Sequence, residues 1–224
     1  MSENRQIIKK YQTGNLLVTG EVYHIVNKSI AKFKIFNDSS DFSRMIRAMR
    51  YYQKEKRHVS FSAFEKIKDG KIFVSESKKH VEIISYCIMP THIHLLLKQL
   101  EDKGISIFMN NLSNSYSRYF NLKHKRKGPL WEGRFKRVLI ESDEQLLHLT
   151  RYIHLNPATA YIVKNPSDWE YSSYQEYLSA VSTKDCICKY NDILDINSSS
   201  YKEFVEDRIF YQRELTKIKH LILE

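Results

Sequence analysis

The sequence predicts an α+β fold in which helices pack on a mostly antiparallel sheet. Segments rich in β-branched and aromatic residues, such as residues 21–27, are typical of strands, and apolar residues recur at helical spacing in the longer segments between them. The elements follow the order strand, helix, strands, helix, strand and helix, which favours helices layered on one sheet. The chain has only 6 glycines and 4 prolines among 224 residues, so most of it is expected to be regular structure.

In the first third of the chain, the predicted elements are a strand, a helix and a hairpin. The strand covers residues 21–27, and the helix covers residues 38–57, where residues 38–40 offer caps and the apolar positions repeat every three to four residues. Residues 59–67 and 71–74 are predicted to pair around a turn at Asp69-Gly70.

The middle of the chain predicts two strands and a long helix. The strands cover residues 81–89 and 92–97 and are interrupted near Pro90. An apolar stripe that begins at Ile105 predicts a helix that runs to about Asn121.

One more strand and one more helix follow. The strand is expected over residues 135–140. Ser142 and Gln145 form a capping box that opens the helix. That helix should end near Asn156, because Pro157 restricts the residue before it.

The C-terminal part differs in character from the rest of the chain. Residues 190–200 are rich in turn formers, and Ser200 and Glu203 suggest a cap for a charged amphipathic helix over residues 201–223. The sequence therefore predicts one domain over residues 1–180 and a C-terminal helical extension over residues 181–224. The extension would pack on the core or on a partner.

Charge points to a polyanionic partner. Lys and Arg total 36 against 26 Asp and Glu, which gives a net charge of +10. Nucleic acid is the first candidate for such a partner and an anionic membrane surface is the second. Three unpaired cysteines indicate a reducing compartment, and neither a signal peptide nor an apolar run long enough for a bilayer is visible. A cytoplasmic protein with no membrane partner is expected.

The triplet His92-Ile93-His94 is the sharpest candidate for chemistry. Side chains alternate along a strand, so His92 and His94 would share one face while Ile93 faces the other. Two imidazoles so close could hold one divalent metal ion. Two ordinary histidines at a strand end are the usual explanation of such a triplet.

A second polar set lies on the helix that Ser142 opens. Gln145, His148, Tyr152 and Asn156 recur at helical spacing and share one face. If that face met the histidines, Asn156 could supply an oxygen ligand and Tyr152 a nucleophile. A solvated helix face is the alternative interpretation.

A basic segment over residues 123–137 is a candidate nucleic-acid interface. Positive charge follows phosphates, and aromatic rings can stack on bases. Trp131 could instead be a core anchor. The candidate DNA-binding residues are Lys123, Lys125, Arg126, Lys127, Trp131, Arg134, Lys136 and Arg137.

Six stretches in order resemble the IS200-like tyrosine transposases of the HUH superfamily, and most closely the REP-associated tyrosine transposases. The resemblance covers about residues 15–180. The stretches are YHIVN (23–27), SYCIMPTHIHLLL (85–97), SYSRYFN (115–121), GPLWEGRFK (128–136), RYIHLNPATA (151–160) and DWEYSSYQEYL (168–178).

The resemblance implies a ferredoxin-like fold with a central antiparallel sheet. It implies that His92 and His94 are paired metal ligands, that Tyr152 is the nucleophile and that Asn156 is a third, amide-type ligand. The family cleaves single-stranded DNA near hairpins, leaving a 5′-phosphotyrosine and a free 3′-hydroxyl, with Mg²⁺ or Mn²⁺. The expected function is thus a transposase and single-strand endonuclease, acting as a monomer or homodimer.

Other interpretations stay open. The chain could be a non-catalytic or domesticated binder of structured DNA, or a nuclease in which the metal activates water. Tyr116 and Tyr119 are rival nucleophiles closer to the histidines in sequence, although their place on an apolar helix stripe is better explained by core packing.

Overall fold

A four-stranded antiparallel sheet forms the centre of the protein. The computed structural model describes residues 17–55, 60–66, 78–183 and 185–214. The strands are β1 (Val22–Lys28), β2 (Val81–Met89), β3 (His92–Gln99) and β4 (Lys136–Leu139), and their order in the sheet is β2-β3-β1-β4. Each of these four strands was predicted from the sequence.

Two long helices cross between the strands and give the ferredoxin-like topology. Helix α1 (Ser39–Tyr52) connects β1 to β2, and helix α3 (Gly104–Lys123) connects β3 to β4. The chain order is therefore β-α-β-β-α-β, with the short helix α2 (Phe61–Phe64) inserted before β2. The predicted α+β, ferredoxin-like class is confirmed.

The remaining helices follow the sheet. They are α4 (Asp143–Thr159), α5 (Tyr174–Tyr177) and α6 (Ser198–Glu206), with a 3₁₀ turn at Pro166–Asp168. Residues 209–214 are helical again. None of the helices in the described ranges is long and apolar enough to cross a bilayer.

Alternation along the strands gives the sheet two different faces. Ile25 and Ile93 face α1 and α3, where they join a buried cluster with Met45 and Phe108. Leu96 faces the other way and packs with Ile153 of α4. Helix α4 covers only part of this second face, and polar residues of β1 and β3 occupy the uncovered part beside the helix.

Four details of the predicted elements were wrong, and two of them concern the first third of the chain. Phe61–Phe64 form a helical turn instead of the predicted strand, because the Ser60 side chain accepts a hydrogen bond from the Ala63 amide and caps the turn. The partner strand at residues 71–74 lies outside the described residues. Helix α1 ends at Tyr52, earlier than predicted, although Asp38 caps its start as expected.

The other two boundaries lie towards the C-terminus. Helix α4 continues past Pro157 to Thr159: the proline removes one backbone donor, but it is buried, and the Ala160 amide still donates to the Asn156 carbonyl. Asn197, not Ser200, caps α6 through hydrogen bonds from the amides of Ser199 and Ser200. The predicted helical residues 215–223 lie outside the described residues.

A buried histidine ties α4 to the C-terminal segment. His154 is fully buried, and its Nδ1 lies 2.8 Å from the Tyr201 hydroxyl of α6. Its Nε2 lies 2.8 Å from the Ser173 hydroxyl and 3.1 Å from that of Ser85 in β2. Both ring nitrogens are thus paired, and α4 is held against β2 and α6 at once.

We expect His154→Ala to lower the free energy of unfolding by about 2–4 kcal/mol, because it leaves a cavity and unpaired buried hydroxyls. Burial lowers the pKa of His154 from 6.5 to about 3. Below pH 6.5 the unfolded chain therefore takes up a proton that the folded chain refuses, so this contribution is complete above pH 6.5 and shrinks as the pH falls towards 3. Denaturant unfolding of wild type and His154→Gln between pH 7 and 4 checks this: the wild-type slope should be steeper by up to about 1.4 kcal/mol per pH unit.

Candidate active site

His92 and His94 lie on the same face of β3, as their spacing predicts. Their ring centroids are 4.9 Å apart, whereas Ile93 between them is fully buried on the opposite face. Register places Lys28 opposite His92 and Val26 opposite His94 at one end of the sheet. The paired imidazoles are therefore a feature of the sheet itself and need no loop to hold them.

Both imidazoles are neutral near pH 7. Burial, with help from the charge of Lys28, lowers the pKa of His92 to about 4. Burial and then the neighbouring His92, His24 and Lys28 hold the pKa of His94 well below its usual range. A neutral ring keeps a lone pair, which a metal ligand requires.

One nitrogen of each ring already has a hydrogen-bonding partner, which leaves Nε2 of both rings as the possible metal ligand. His92 Nδ1 lies 3.0 Å from the Thr91 hydroxyl, and His94 Nδ1 lies 3.0 Å from His24 Nε2. Metal-binding histidines commonly use one nitrogen for the ion and the other for such an orienting bond. The arrangement suits Nε2 of His92 and Nε2 of His94 as a pair of ligands.

His24 is a residue that the sequence did not single out. It lies on β1, its ring stacks on that of His94 with centroids 5.3 Å apart, and burial lowers its pKa. The available signal was its place in the strand YHIVN, one residue from Tyr23 and Ile25, which face the core. Only the register between β1 and β3 shows that His24 meets His94.

Tyr152 projects from α4 over these rings. Its ring centroid is 5.8 Å from that of His94 and 6.4 Å from that of His24, both edge to face. Its side chain is still 39% exposed, so a substrate can reach it. Burial raises the pKa of the Tyr152 phenol, and a hydrogen bond from the Asn156 side chain acts in the opposite direction.

Asn156 lies one helical turn after Tyr152 and is partly buried. Its Nδ2 donates to the Tyr152 carbonyl oxygen at 3.1 Å. This bond uses the amide nitrogen, so Oδ1 is the Asn156 atom that could bind a metal ion. His148, on the same helix face, instead pairs with Arg151 at 2.9 Å and lies apart from the site.

The two rival tyrosines lie away from the histidines. Tyr116 is buried, and its hydroxyl donates to the Ile35 carbonyl at 2.7 Å. The Tyr119 hydroxyl donates to Asp41 at 2.9 Å. Both belong to α3, which covers the opposite face of the sheet, so packing accounts for them.

Two imidazole nitrogens and one amide oxygen make an incomplete coordination sphere. In the described ranges, no group of three or more His, Cys, Asp or Glu side chains is arranged to hold a metal ion. An ion bound by these three groups would take its remaining ligands from water or phosphate, as Mg²⁺ and Mn²⁺ do.

The basic segment divides into held and exposed residues. Lys123 is held by Asp38 and Asp41 at 2.8 and 2.7 Å, and Arg126 donates to the Asn121 side chain and the Pro129 carbonyl. Lys125, Lys127, Arg134, Lys136 and Arg137 are exposed, and the charge of Arg137 acts on the Tyr23 phenol.

Strand β4 directs its basic residues to both faces of the sheet. Lys136 is opposite Val26 and thus on the face of His94, whereas Arg137 is opposite Ile25 on the face of α3. β4 is an edge strand, so a DNA strand that crosses this edge would meet both cations.

Trp131 is a core residue in this structure. It is 9% exposed, and its indole nitrogen donates to the Ser113 carbonyl at 3.1 Å. Most of the Trp131 ring therefore anchors the core, and its exposed part lines a cavity next to α3.

Comparisons with known proteins agree with this architecture. Residues 54–156 match the family model "Transposase IS200 like", a range that contains both histidines of the triplet, Tyr152 and Asn156. A REP-associated tyrosine transposase of Haemophilus influenzae is 31% identical over 109 residues, which is 44% of this chain and 62% of that protein. The chain thus spans less than two thirds of this relative's length.

A solved structure shows the same fold. It is described as the REP-associated tyrosine transposase bound to a REP hairpin, and it aligns with a TM-score of 0.51 over 82% of this chain and 94% of its own. At 15% identity this similarity concerns the fold alone. The resemblance in the sequence motifs is confirmed for residues 54–156, which are similar to IS200-like transposases.

Proposed function

We propose that this protein is a metal-dependent transposase that cuts one DNA strand with Tyr152 and rejoins it. The observation that carries the proposal is the position of Tyr152, whose ring lies 5.8 Å from that of His94, which in turn lies 4.9 Å from the ring of His92. A nucleophile and a pair of neutral imidazoles on one open surface are what such a reaction requires.

The reaction is a transesterification. The Tyr152 oxygen attacks the phosphorus, the bond from phosphorus to the 3′-oxygen breaks, and the upstream fragment leaves with a free 3′-hydroxyl after it gains a proton. The downstream fragment stays on Tyr152 as a 5′-phosphotyrosine. Because one phosphodiester replaces another, a 3′-hydroxyl can later reverse the step without ATP.

The surrounding side chains have distinct parts in this proposal. His92, His94 and Asn156 would hold a Mg²⁺ or Mn²⁺ ion, which supplies Lewis-acid polarisation of the scissile phosphate. Asn156 also donates towards the Tyr152 phenol, which favours the phenolate as the hydroxyl loses its proton. Lys136, on the same sheet face, would hold a neighbouring phosphate.

The proposed substrate is single-stranded DNA next to a hairpin. The solved relative is bound to a REP hairpin, and this chain has a net charge of +10 with exposed basic residues around β4. Measurement of mass in solution distinguishes a monomer from a homodimer.

The test is a denaturing gel of labelled hairpin DNA incubated with protein and Mn²⁺, Mg²⁺ or EDTA. We expect cleavage and a protein–DNA species that survives denaturation, both only with metal. Cleaved DNA without that species would mean that water is the nucleophile. Binding without cleavage would identify a non-catalytic or domesticated binder, the second candidate.

Exposed cations near β4 should set the salt dependence of DNA binding. Arg134→Gln with Lys136→Gln removes two of them and should flatten the slope of log affinity against log salt by about one to two units. Fluorescence anisotropy between 50 and 300 mM salt measures the slope. Lys202→Gln on α6 is the control. An equal change in slope for this variant would mean that the DNA does not bind near β4.

His24 should tune metal affinity without being a ligand. Its bond to His94 Nδ1 fixes which nitrogen of His94 remains free, so His24→Ala should weaken Mn²⁺ binding by roughly 10- to 100-fold. Electron paramagnetic resonance titration of free Mn²⁺ reads this directly. His24→Asn, which can still accept from His94, should recover part of the loss, whereas equal loss in both variants would exclude an orienting bond.

A further inference from the structure

A cavity with both polar and apolar walls lies on the face of the sheet opposite the candidate active site. It has a volume of about 720 Å³ and lies between α3 and residues 129–137. Pockets for small ligands commonly measure about 300–1,000 Å³. Asn27, one residue before Lys28 on β1, forms part of its wall, so the cavity and the histidines lie at the same end of the sheet.

One wall of the cavity is a stripe of small polar side chains on α3. Ser106, Asn110, Asn114 and Ser117 are spaced by three or four residues and therefore share a face. The apolar positions of the same helix, such as Phe108, pack against the sheet. The stripe is not needed for the core.

Two amides on this wall form a ready-made pair of hydrogen-bonding groups. Asn114 Nδ2 donates to Asn110 Oδ1 at 2.9 Å. This bond orients both side chains and leaves the Asn110 amide nitrogen as a donor next to the Asn114 oxygen as an acceptor. A donor beside an acceptor is the pattern by which asparagine reads the edge of a base.

The opposite wall offers a ring and positive charge. Trp131 contributes part of its indole, and Arg134 and Arg137 are exposed at the rim. Among the described residues that line the cavity, none is acidic. Stacking surfaces, amides and guanidinium groups together are the features by which proteins hold unpaired nucleotides.

We propose that this cavity binds one unpaired nucleotide of the single-stranded segment beside the hairpin. The base lies against the Asn110–Asn114 pair, and Arg134 and Arg137 hold its phosphates. The DNA then crosses the β4 edge, where Arg137 faces the cavity and Lys136 faces the histidines. This inference rests on the proposed DNA-cleaving function and adds a place where a base is read.

The experiment compares two oligonucleotides in EDTA, so that no cleavage occurs. One is a blunt hairpin, and the other is the same hairpin with a single-stranded flank. Asn110→Ala with Asn114→Ala should weaken binding of the flanked hairpin by roughly tenfold or more and leave the blunt hairpin nearly unchanged. Asn191→Ala, an exposed asparagine in the C-terminal segment, is the control.

A second variant fills the cavity instead of removing its polar groups. A Cβ atom at Gly133, which lines the cavity, would meet no heavy atom within 4 Å. Gly133→Leu should therefore fold normally and show the same selective loss for the flanked hairpin.

An abasic walk along the flank locates the base. In wild type, one abasic position should cost most of the flank's affinity, and in the double asparagine variant that cost should vanish. Identical abasic profiles in both proteins, or equal losses for both oligonucleotides, would overturn the cavity assignment while DNA binding stands. If wild type binds neither oligonucleotide, the proposed function is wrong and this assignment with it.

Discussion

Tyr152→Phe is expected to abolish the covalent protein–DNA species. The substitution removes only the hydroxyl, which is the group that attacks phosphorus, and keeps the ring against His94 and His24. The fold and the affinity for hairpin DNA should therefore survive. With Mn²⁺ or Mg²⁺ and a cleavable hairpin, wild type should yield an adduct on a denaturing gel, and the variant should yield none.

Tyr116→Phe is the matched control for this prediction. Its hydroxyl bonds to the Ile35 carbonyl on the other side of the sheet, so the variant loses some stability but should still form the adduct. If Tyr116→Phe loses the adduct and Tyr152→Phe keeps it, the nucleophile has been assigned to the wrong helix.

Replacing both His92 and His94 with Ala should reduce cleavage on the order of a thousandfold or more, because the imidazoles would hold the ion that polarises the phosphate. Hairpin binding in EDTA should change little, since the exposed cations lie elsewhere. Isothermal titration with Mn²⁺ should show that the variant no longer binds the ion at this site.

His148→Ala controls for the loss of a histidine near α4. This residue pairs with Arg151 and lies outside the site, so its loss should leave cleavage near the wild-type rate. Full cleavage by the His92 and His94 double variant would show that these histidines take no part in the reaction.

Much of the fold was predictable because its elements carry strong local patterns. All four strands and helices α1, α3 and α4 were predicted, and the capping role of Ser142 is observed in its bond with the Gln145 amide at 3.1 Å. Errors arose where one local signal competed with another. Pro157 suggested the end of a helix, yet α4 continues for two residues beyond this buried proline.

The candidate site was predictable only in part. Strand alternation placed His92 and His94 on one face, and helical spacing placed Tyr152 beside Asn156. His24 was missed because its meeting with His94 depends on the register between β1 and β3, which no local pattern reveals. The ion pairs of Lys123 with Asp38 and Asp41 depend in the same way on how α3 packs against α1.

Peptide mapping of the adduct by mass spectrometry tests the central claim most directly. The protein is incubated with a hairpin and Mn²⁺, digested with trypsin and nuclease, and searched for a tyrosine that carries a nucleotide. Residues 152–164 contain Tyr152 and Tyr161, so the measurement uses a Tyr161→Phe background in which the assignment is unique. We expect the nucleotide on Tyr152, joined through its 5′-phosphate. A nucleotide on any other tyrosine, or efficient cleavage with no modified tyrosine, would contradict the proposed mechanism.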